Sequence, residues 1–297
     1  MSFSRAIIRA SRPNFLVLAP LCVLLGIAMA WQQQGGVQRH EVGLVVLGGL
    51  LAHAGVNLLN EFDDFRSGLD LITARTPFSG GSGALPAEPG AASLVWWWAM
   101  VALFGTVMIG IYFLWQRGWP ILIIGVAGLA LVIGYTRWIT RLPWWCLLAP
   151  GFGFGPLMVL GALLALGGVV DATALVTATI VLLLVSELLL INQLPDVEAD
   201  RRVGRRHLPI VLGLGAGARW VARLLVGGYL LLALGILMNW LPGSAWLAML
   251  PLPAALWVAR RLPAALDDSA ALPRVLGVNV AALLGTLALL GVALGLR

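Results

Sequence analysis

The sequence predicts an all-α, polytopic membrane protein, a bundle of nine transmembrane helices. Of the 297 residues, 60% are hydrophobic and only 11% are charged, whereas soluble domains have about 25% charged residues. A helix crosses the bilayer with about 20 apolar residues, so this hydrophobic content is sufficient for roughly nine spans. The composition excludes a soluble globular fold, and it leaves no room for a second folded domain. We therefore expect a single domain over residues 1–297.

Nine apolar segments, separated by polar or Pro- and Gly-containing stretches, are predicted to be the membrane helices. Tryptophans concentrate at the ends of these segments, as expected where a helix meets the membrane interface. The predicted helices cover residues 14–31, 42–65, 92–115, 120–136, 144–166, 172–194, 217–240, 244–259 and 274–296.

The net charge of +6 comes from arginine alone, because all 19 basic residues are Arg. Most of them lie beside the apolar segments, which favours a role in membrane topology over nucleic-acid binding. With a cytoplasmic N-terminus, nine spans place 16 arginines inside and three outside, as the positive-inside rule requires. We expect a multi-pass protein of the cell inner membrane with an external C-terminus.

The first of two acidic segments leaves the second predicted helix at its cytoplasmic end, in residues 57–70. Gly68 is predicted to end this helix as a C-terminal cap, and Asp70 follows it. Helical spacing places a stripe of polar residues on one face of this apolar span: His53, Asn57, Asn60 or Glu61, and Asp64.

The second acidic segment leaves the sixth predicted helix, in residues 192–200. Pro195 lacks an amide donor and favours a break, after which Asp196 and Asp200 share a helical face. The spacing of Asn192 and Asp196 repeats that of Asn60 and Asp64. The two segments are separated by four helices, an even number, so both are predicted to emerge on the cytoplasmic side.

Two carboxylate clusters at one membrane face repel each other unless a positive group lies between them. Mg²⁺ binds oxygen ligands, usually one or two carboxylates together with water and substrate phosphate. The alternative is a pair of solvated loops whose acids balance nearby arginines. The cost of polar groups within a membrane favours the metal site, with Mn²⁺ as a substitute ion.

Arginines near the two acidic segments are candidates to bind phosphate, because the guanidinium offers forked donors. A glycine-rich stretch, residues 78–83, allows backbone amides to approach an anion. Together with the acids, these residues predict a site for a metal-bridged diphosphate. The candidate arginines are Arg75, Arg137, Arg141, Arg201, Arg202, Arg205 and Arg206.

These motifs resemble those of the UbiA superfamily of intramembrane prenyltransferases, over nearly the whole chain. The first motif resembles the naphthoate branch of the family, in which the last Asp follows six residues after the previous one. The second motif is the most specific feature, although Arg205 and Arg206 stand where the family often has Lys, and His207 stands where Thr is usual. The matching residues are Asn60, Glu61, Asp64, Gly68 and Asp70, then Asn192, Asp196, Asp200, Arg201, Gly204, Arg206, Leu208 and Pro209, with Tyr135 and Thr136 matching loosely.

The resemblance implies a helical bundle around a central cavity and a Mg²⁺-dependent polyprenyltransferase. It implies transfer of a polyprenyl group from prenyl diphosphate to an aromatic acceptor, 1,4-dihydroxy-2-naphthoate, in menaquinone biosynthesis. The implied metal-binding and catalytic residues are Asp64, Asp70, Asp196 and Asp200, completed by Asn60 and Asn192. The implied substrate-binding residues are Asn60, Asn192, Arg75, Arg137, Arg141, Arg201, Arg205, Arg206 and Tyr135.

Other interpretations stay open at this point. Another UbiA-type reaction would use 4-hydroxybenzoate or a non-aromatic acceptor, or would cyclise the chain. A secondary transporter also uses paired polar motifs, but such sites lie near the membrane midplane. Glu187 in the sixth helix is expected either to contact the acceptor or to be hydrogen-bonded between helices, and His53 is expected to be a packed polar residue.

Overall fold

The computed structural model describes residues 2–268 and 270–296, and throughout these ranges the regular structure is helical. The predicted all-α class is therefore confirmed. Arg297, one of the three arginines predicted to be external, lies outside the described residues.

The N-terminal region consists of three helices, α1 (Phe3–Ala10), α2 (Pro13–Leu16) and α3 (Leu18–Gln34). Arg12 separates α1 from α2 with a left-handed backbone (φ 51°), a conformation that residues other than glycine rarely adopt. The direction of the chain changes by 44° between the segments Phe3–Leu16 and Leu18–Gln34. Arg12 therefore lies at the break between α1 and α2, directly before the first residue of α2.

The next five helices are α4 (Arg39–Arg66), α5 (Leu69–Ile72), α6 (Ala84–Ala87), α7 (Ala92–Arg117) and α8 (Trp119–Arg137). Gly68 ends α4 with φ +80°, and its backbone N–H donates to the carbonyl of Phe65, so the predicted C-terminal cap is confirmed.

The fifth predicted span consists of α9 (Pro143–Phe152), a π-helical segment (Gly153–Val159) and α10 (Leu160–Ala165). Pro150 and Pro156 lie inside it and remove backbone donors, which accounts for its irregular winding. Glycines bring this span against α11 (Ala172–Gln193): a Cβ at Gly151 would lie 2.1 Å from the carbonyl oxygen of Leu182.

The chain breaks after α11, at the predicted position around Pro195, and continues in two short helices before three longer ones. These are α12 (Val197–Arg202), α13 (Leu208–Leu212), α14 (Leu214–Leu237), α15 (Leu252–Ala265) and α16 (Leu272–Gly295), with a 3₁₀-helix (Gly243–Met249) before α15.

In the described part of the chain, seven helices are long and apolar enough to cross a membrane, and the bent pair Phe3–Leu16 and Leu18–Gln34 is an eighth candidate. The predicted span 244–259 overlaps the 3₁₀-helix and most of the 14-residue α15, which continues to Ala265. The structure therefore supports a multi-pass membrane protein with helices at all nine predicted positions, and it supports seven or eight spans by length and composition.

Candidate functional site

A cavity of about 490 Å³ lies between α3, α4, α7, α8, the π-helical segment and α11. Along α4, its lining runs from Val45 to Asp64, a distance of about 29 Å at 1.5 Å per residue. Most of this lining is apolar. Four predicted acids, Asp64, Asp70, Asp196 and Asp200, all line one end of the cavity, which we call the acidic mouth.

Arg205 connects the two acidic segments across the mouth. Its guanidinium donates to Asp64 Oδ1 through Nη2 and to Asp200 Oδ1 through Nη1, the second bond at 2.9 Å. Burial acts to lower the pKa of Arg205, but the carboxylates of Asp64 and Asp200 outweigh burial and raise it. Arg205 therefore stays charged, and the acidic segments meet at one end of the bundle as predicted.

The glycine-rich stretch, residues 78–83, folds over the mouth. The backbone N–H of Gly80 donates to Asp196 Oδ2 at 3.1 Å. Gly81 has φ +75°, and a Cβ there would lie 2.5 Å from Asp70 Oδ1, so only glycine fits at this point. This loop is thus packed against a carboxylate from each acidic segment.

Glu61, the alternative member of the predicted stripe, does not line the cavity. It is fully buried, accepts hydrogen bonds from the backbone N–H (3.1 Å) and hydroxyl of Ser82, and pairs with Arg12 at 3.1 Å. Glu61 therefore ties the N-terminal region and the glycine-rich stretch to α4, while Asn60 takes the position on the cavity wall.

The other polar residues of the stripe do line the cavity. Asn60 Oδ1 accepts a hydrogen bond from the hydroxyl of Thr136, and Asn57 donates to the carbonyl of Ser11 at 3.0 Å. His53 packs edge-on against Phe154, with 4.9 Å between ring centroids, which agrees with its expected role as a packed polar residue.

Three buried oxygen atoms at the mouth have no hydrogen-bond partner among the described residues: Asp70 Oδ2, Asn192 Oδ1 and Asp196 Oδ1. Burial and the Glu61 and Asp64 carboxylates raise the pKa of Asp70 to about 7. Burial and the Asp200 carboxylate raise the pKa of Asp196 to about 7, against the lowering effect of the Gly80 hydrogen bond. The mouth therefore holds oxygen ligands that its own cations and hydrogen-bond donors do not satisfy.

The free oxygens fit a hard divalent cation. In the described ranges, no three Asp, Glu, His or Cys side chains converge closely enough to hold an ion by themselves. Mg²⁺ commonly takes one or two carboxylates and completes its shell with water and substrate phosphate. The arrangement therefore suits Mg²⁺ shared with a bound diphosphate better than an all-protein metal cage.

The predicted arginines are not all in the cavity. Of the residues that the structure describes, Arg12 and Arg205 are the arginines that line it. Arg137 pairs with Asp63 at 3.4 Å and Arg201 with Glu198 at 2.9 Å, both on the exposed surface. Exposed side chains outside the lining also belong to Arg75, Arg141, Arg202 and Arg206.

Two further predicted residues are placed by their contacts. The Tyr135 hydroxyl lines the cavity 3.9 Å from Cys146 Sγ, which also accepts a hydrogen bond from Gln193 at 3.3 Å. Glu187 is fully buried outside the lining and accepts a hydrogen bond from Asn279 at 3.1 Å. Glu187 thus joins α11 to α16, the second of its two expected roles.

Sequence reasoning did not single out Arg12 or the Asp200 partner His207 as site residues. His207 Nε2 lies 2.8 Å from Asp200 Oδ2, and both side chains are buried. Arg12 could have been noticed from its position directly before Pro13. His207 could have been noticed because it stands where the family usually has Thr.

Comparison with known proteins gives one family. Residues 19–281 match the UbiA prenyltransferase family. No curated protein sequence matches the chain.

Several solved structures share the fold. A UbiA homologue from Archaeoglobus fulgidus bound to GPP and Mg²⁺ has a TM-score of 0.69 at 14% identity, covering 98% of this chain and 100% of that chain. The same organism's UbiA homologue bound to DMAPP and Mg²⁺ has a TM-score of 0.68 at 14% identity, covering 96% and 99%. A structure described for digeranylgeranylglyceryl phosphate synthase has a TM-score of 0.67 at 14% identity and covers 100% of both chains.

Proposed function

The chain belongs to the UbiA prenyltransferase family, and we propose that it transfers a polyprenyl group from prenyl diphosphate to an aromatic acceptor, 1,4-dihydroxy-2-naphthoate. The observation that carries this proposal is the set of unpartnered buried oxygens of Asp70, Asn192 and Asp196 at the polar end of a long apolar cavity. Such a site suits a molecule with a charged head and an apolar tail. We propose that the whole chain, residues 1–297, forms a single domain of this kind.

The apolar part of the cavity suits the prenyl tail. Each CH₂ group removed from water contributes about 0.8 kcal/mol, so a long tail adds substantially to binding. At the far end, Arg117 donates to both carboxylate oxygens of Glu41 and to the carbonyl of Ala165, each at 2.9 Å. These bonds close the bundle opposite the mouth and help to exclude water.

Mg²⁺, or Mn²⁺ in its place, would be held by Asp64, Asp70, Asp196 and Asp200, completed by Asn60 and Asn192. When bound, the ion would neutralise the diphosphate and stabilise the charge that develops on the leaving group. The A. fulgidus UbiA homologue was solved with Mg²⁺ and a prenyl diphosphate, which supports this assignment.

The chain's own residues supply the remaining chemistry. Arg205, which lines the cavity, is positioned to bind diphosphate oxygens, and Arg12 adds a second positive charge at the mouth. The bond between the first prenyl carbon and the diphosphate oxygen breaks with its electron pair on the oxygen. The electron-rich acceptor ring then forms a bond to that carbon, and the acceptor loses its carboxylate as CO₂, whose bonding electron pair restores the aromatic ring. The apolar walls keep water from competing.

The assignment of the acceptor rests on motif spacing. Asp70 follows Asp64 by six residues with Gly68 between them, as in the naphthoate branch that the sequence resembles. The product would be a demethylmenaquinone-type quinone precursor. Because Arg137 and Arg141 are exposed and outside the cavity lining, we assign no acceptor contact to them.

We also propose nine membrane spans in the cell inner membrane, with the N-terminus and the acidic mouth on the cytoplasmic side and the C-terminus outside. This topology is supported by the arginine distribution and by the meeting of both acidic segments at one end of the bundle. That location also argues against a transporter, whose substrate site lies near the midplane.

The test is turnover of 1,4-dihydroxy-2-naphthoate, 4-hydroxybenzoate and homogentisate by the purified protein, with one labelled prenyl diphosphate and Mg²⁺. We expect prenylated dihydroxynaphthoate, and no product after EDTA until Mg²⁺ or Mn²⁺ is restored. Product from another phenol alone would overturn the acceptor assignment. Absence of any prenyl transfer with all three acceptors would overturn the proposed reaction with this substrate set.

A further inference from the structure

The segment from Asp200 to His207 folds back onto Asp200. The backbone N–H of Arg205 donates to the carbonyl of Asp200 at 3.0 Å, and His207 Nε2 lies 2.8 Å from Asp200 Oδ2. Gly204 permits this reversal with φ +82°. The next residue along, Arg206, donates its backbone N–H to the carbonyl of Thr140 at 2.9 Å, which fixes the returning segment to the turn after α8.

The bond between His207 and Asp200 is shielded from water. The two side chains are 1% and 3% exposed. A carboxylate has no hydrogen to donate, so the imidazole N–H donates to Asp200 Oδ2, and a charged acceptor strengthens this bond. The side chain of His207 makes no capping bond to α13, although His207 is the residue directly before that helix. The polar contact of the His207 side chain is therefore the one with Asp200.

The two oxygens of Asp200 are held by different partners. Arg205 donates to Oδ1 of Asp200 and also to Asp64. His207 is hydrogen-bonded to Oδ2 of Asp200. Arg205 is also the cation that the proposed function assigns to the diphosphate. His207 is buried, and backbone bonds to Asp200 and Thr140 hold its segment, so its contact with Asp200 uses neither Arg205 nor the oxygen that Arg205 contacts.

We propose that His207 is a positioning residue, which keeps Asp200 oriented to bind the divalent cation while Arg205 turns to the diphosphate. This inference rests on the proposed function. Partners that orient a metal ligand typically contribute 10- to 100-fold in metal affinity or activity.

The test compares His207→Leu, which removes the donor, with His207→Gln, whose side-chain amide places an N–H near the position of Nε2. The control is His40→Leu, because His40 is exposed near the opposite end of α4 and pairs with Tyr112 at 3.2 Å. Bound Mn²⁺ is measured by electron paramagnetic resonance in the presence of inorganic pyrophosphate. The Mn²⁺ concentration for half-maximal activity and thermal unfolding without metal are measured in parallel.

We expect His207→Leu to weaken Mn²⁺ binding about 10- to 100-fold and to raise the half-maximal Mn²⁺ concentration equally. Saturating Mn²⁺ should restore most of the rate, His207→Gln should restore most of the affinity, and His40→Leu should match the wild type. Unchanged Mn²⁺ affinity in His207→Leu would overturn the proposal. So would equal loss of affinity and thermal stability in both His207 variants, since that marks a purely structural role.

The same experiment separates this inference from the proposed function. Wild-type protein that binds no Mn²⁺ with pyrophosphate would overturn the metal site itself, and the positioning role with it. Wild-type binding that His207→Leu retains would overturn the positioning role only.

Discussion

The backbone N–H of Gly80 donates to the carboxylate of Asp196 at 3.1 Å, across 116 residues of sequence. This bond joins the loop that follows the first acidic segment to the middle of the second. Gly81, the next residue, packs against Asp70 with no room for a Cβ. The glycine-rich stretch is therefore a structural part of the acidic mouth and is held there by both acidic segments.

Replacing a mouth carboxylate should abolish most of the activity. We expect Asp64→Ala and Asp200→Ala each to lower kcat by about 10²- to 10³-fold, since losing one group that stabilises developing charge has an effect of this size. The measurement is steady-state prenyl transfer by detergent-purified protein.

Asp63→Ala is the matched control for Asp64→Ala. Asp63 is the adjacent residue on α4, but its side chain pairs with the exposed Arg137 and does not line the cavity. The activity of Asp63→Ala should stay within about twofold of wild type, because a surface ion pair contributes little energy. Similar losses of activity in Asp63→Ala and Asp64→Ala would show that activity does not depend on a carboxylate in the cavity.

Arg205 should be irreplaceable by lysine. Arg205→Lys keeps the positive charge but cannot bind Asp64 and Asp200 with two separate nitrogens of a planar fork. We expect KM for the prenyl diphosphate to rise about tenfold or more, equivalent to roughly 1.4 kcal/mol. Arg201→Lys, on the exposed surface, is the control and should leave KM unchanged. A normal KM in Arg205→Lys would contradict a role in binding diphosphate.

Narrowing the apolar cavity should discriminate between prenyl donors. Gly128 lines the cavity on α8, and a Cβ there meets no atom within 4 Å, so Gly128→Leu places its side chain in the space for the tail. Displacing about two CH₂ groups is worth about 1.6 kcal/mol, so KM for a long donor should rise about tenfold. KM for dimethylallyl diphosphate should change little.

Gly43→Leu is the control for added bulk in a membrane helix. Gly43 lies on α4 with no atom within 4 Å of a built Cβ, and it is exposed outside the cavity lining. Its KM values should match wild type for both donors. If Gly128→Leu changes the KM for long and short donors equally, the tail does not pass this part of the cavity.

The topology is testable by cysteine labelling, because the native Cys22 and Cys146 are fully buried. Cysteines at Ser67 and Arg202, both exposed beside the acidic segments, should react with an impermeant reagent only from the cytoplasmic side. A cysteine at Gln38, exposed at the other end of α4, should react only from outside. Labelling of Ser67→Cys and Arg202→Cys from opposite faces would contradict the shared site.

Much of the site follows from short-range sequence features. The polar stripe from His53 to Asp64 follows from helical periodicity, and the ends of α4 and α11 follow from Gly68 and Pro195. The emergence of both acidic segments on one side of the membrane was predicted by counting the helices between them. The predicted stripe left the choice between Asn60 and Glu61 open, because these adjacent positions both lie near that face of the helix.

The sequence by itself determined the helical membrane class, the two acidic segments and their common side of the membrane, because hydropathy and helical spacing are local properties. Only the tertiary structure decided that Glu61 turns away to Arg12 and Ser82, that Arg205 is the arginine between the acidic segments, and that His207 holds Asp200. Arg201, Arg202, Arg205 and Arg206 have the same charge and all lie within six residues of Asp200. Which of them reaches the cavity depends on the left-handed turn at Gly204 and on the packing of neighbouring helices, which charge and spacing do not encode.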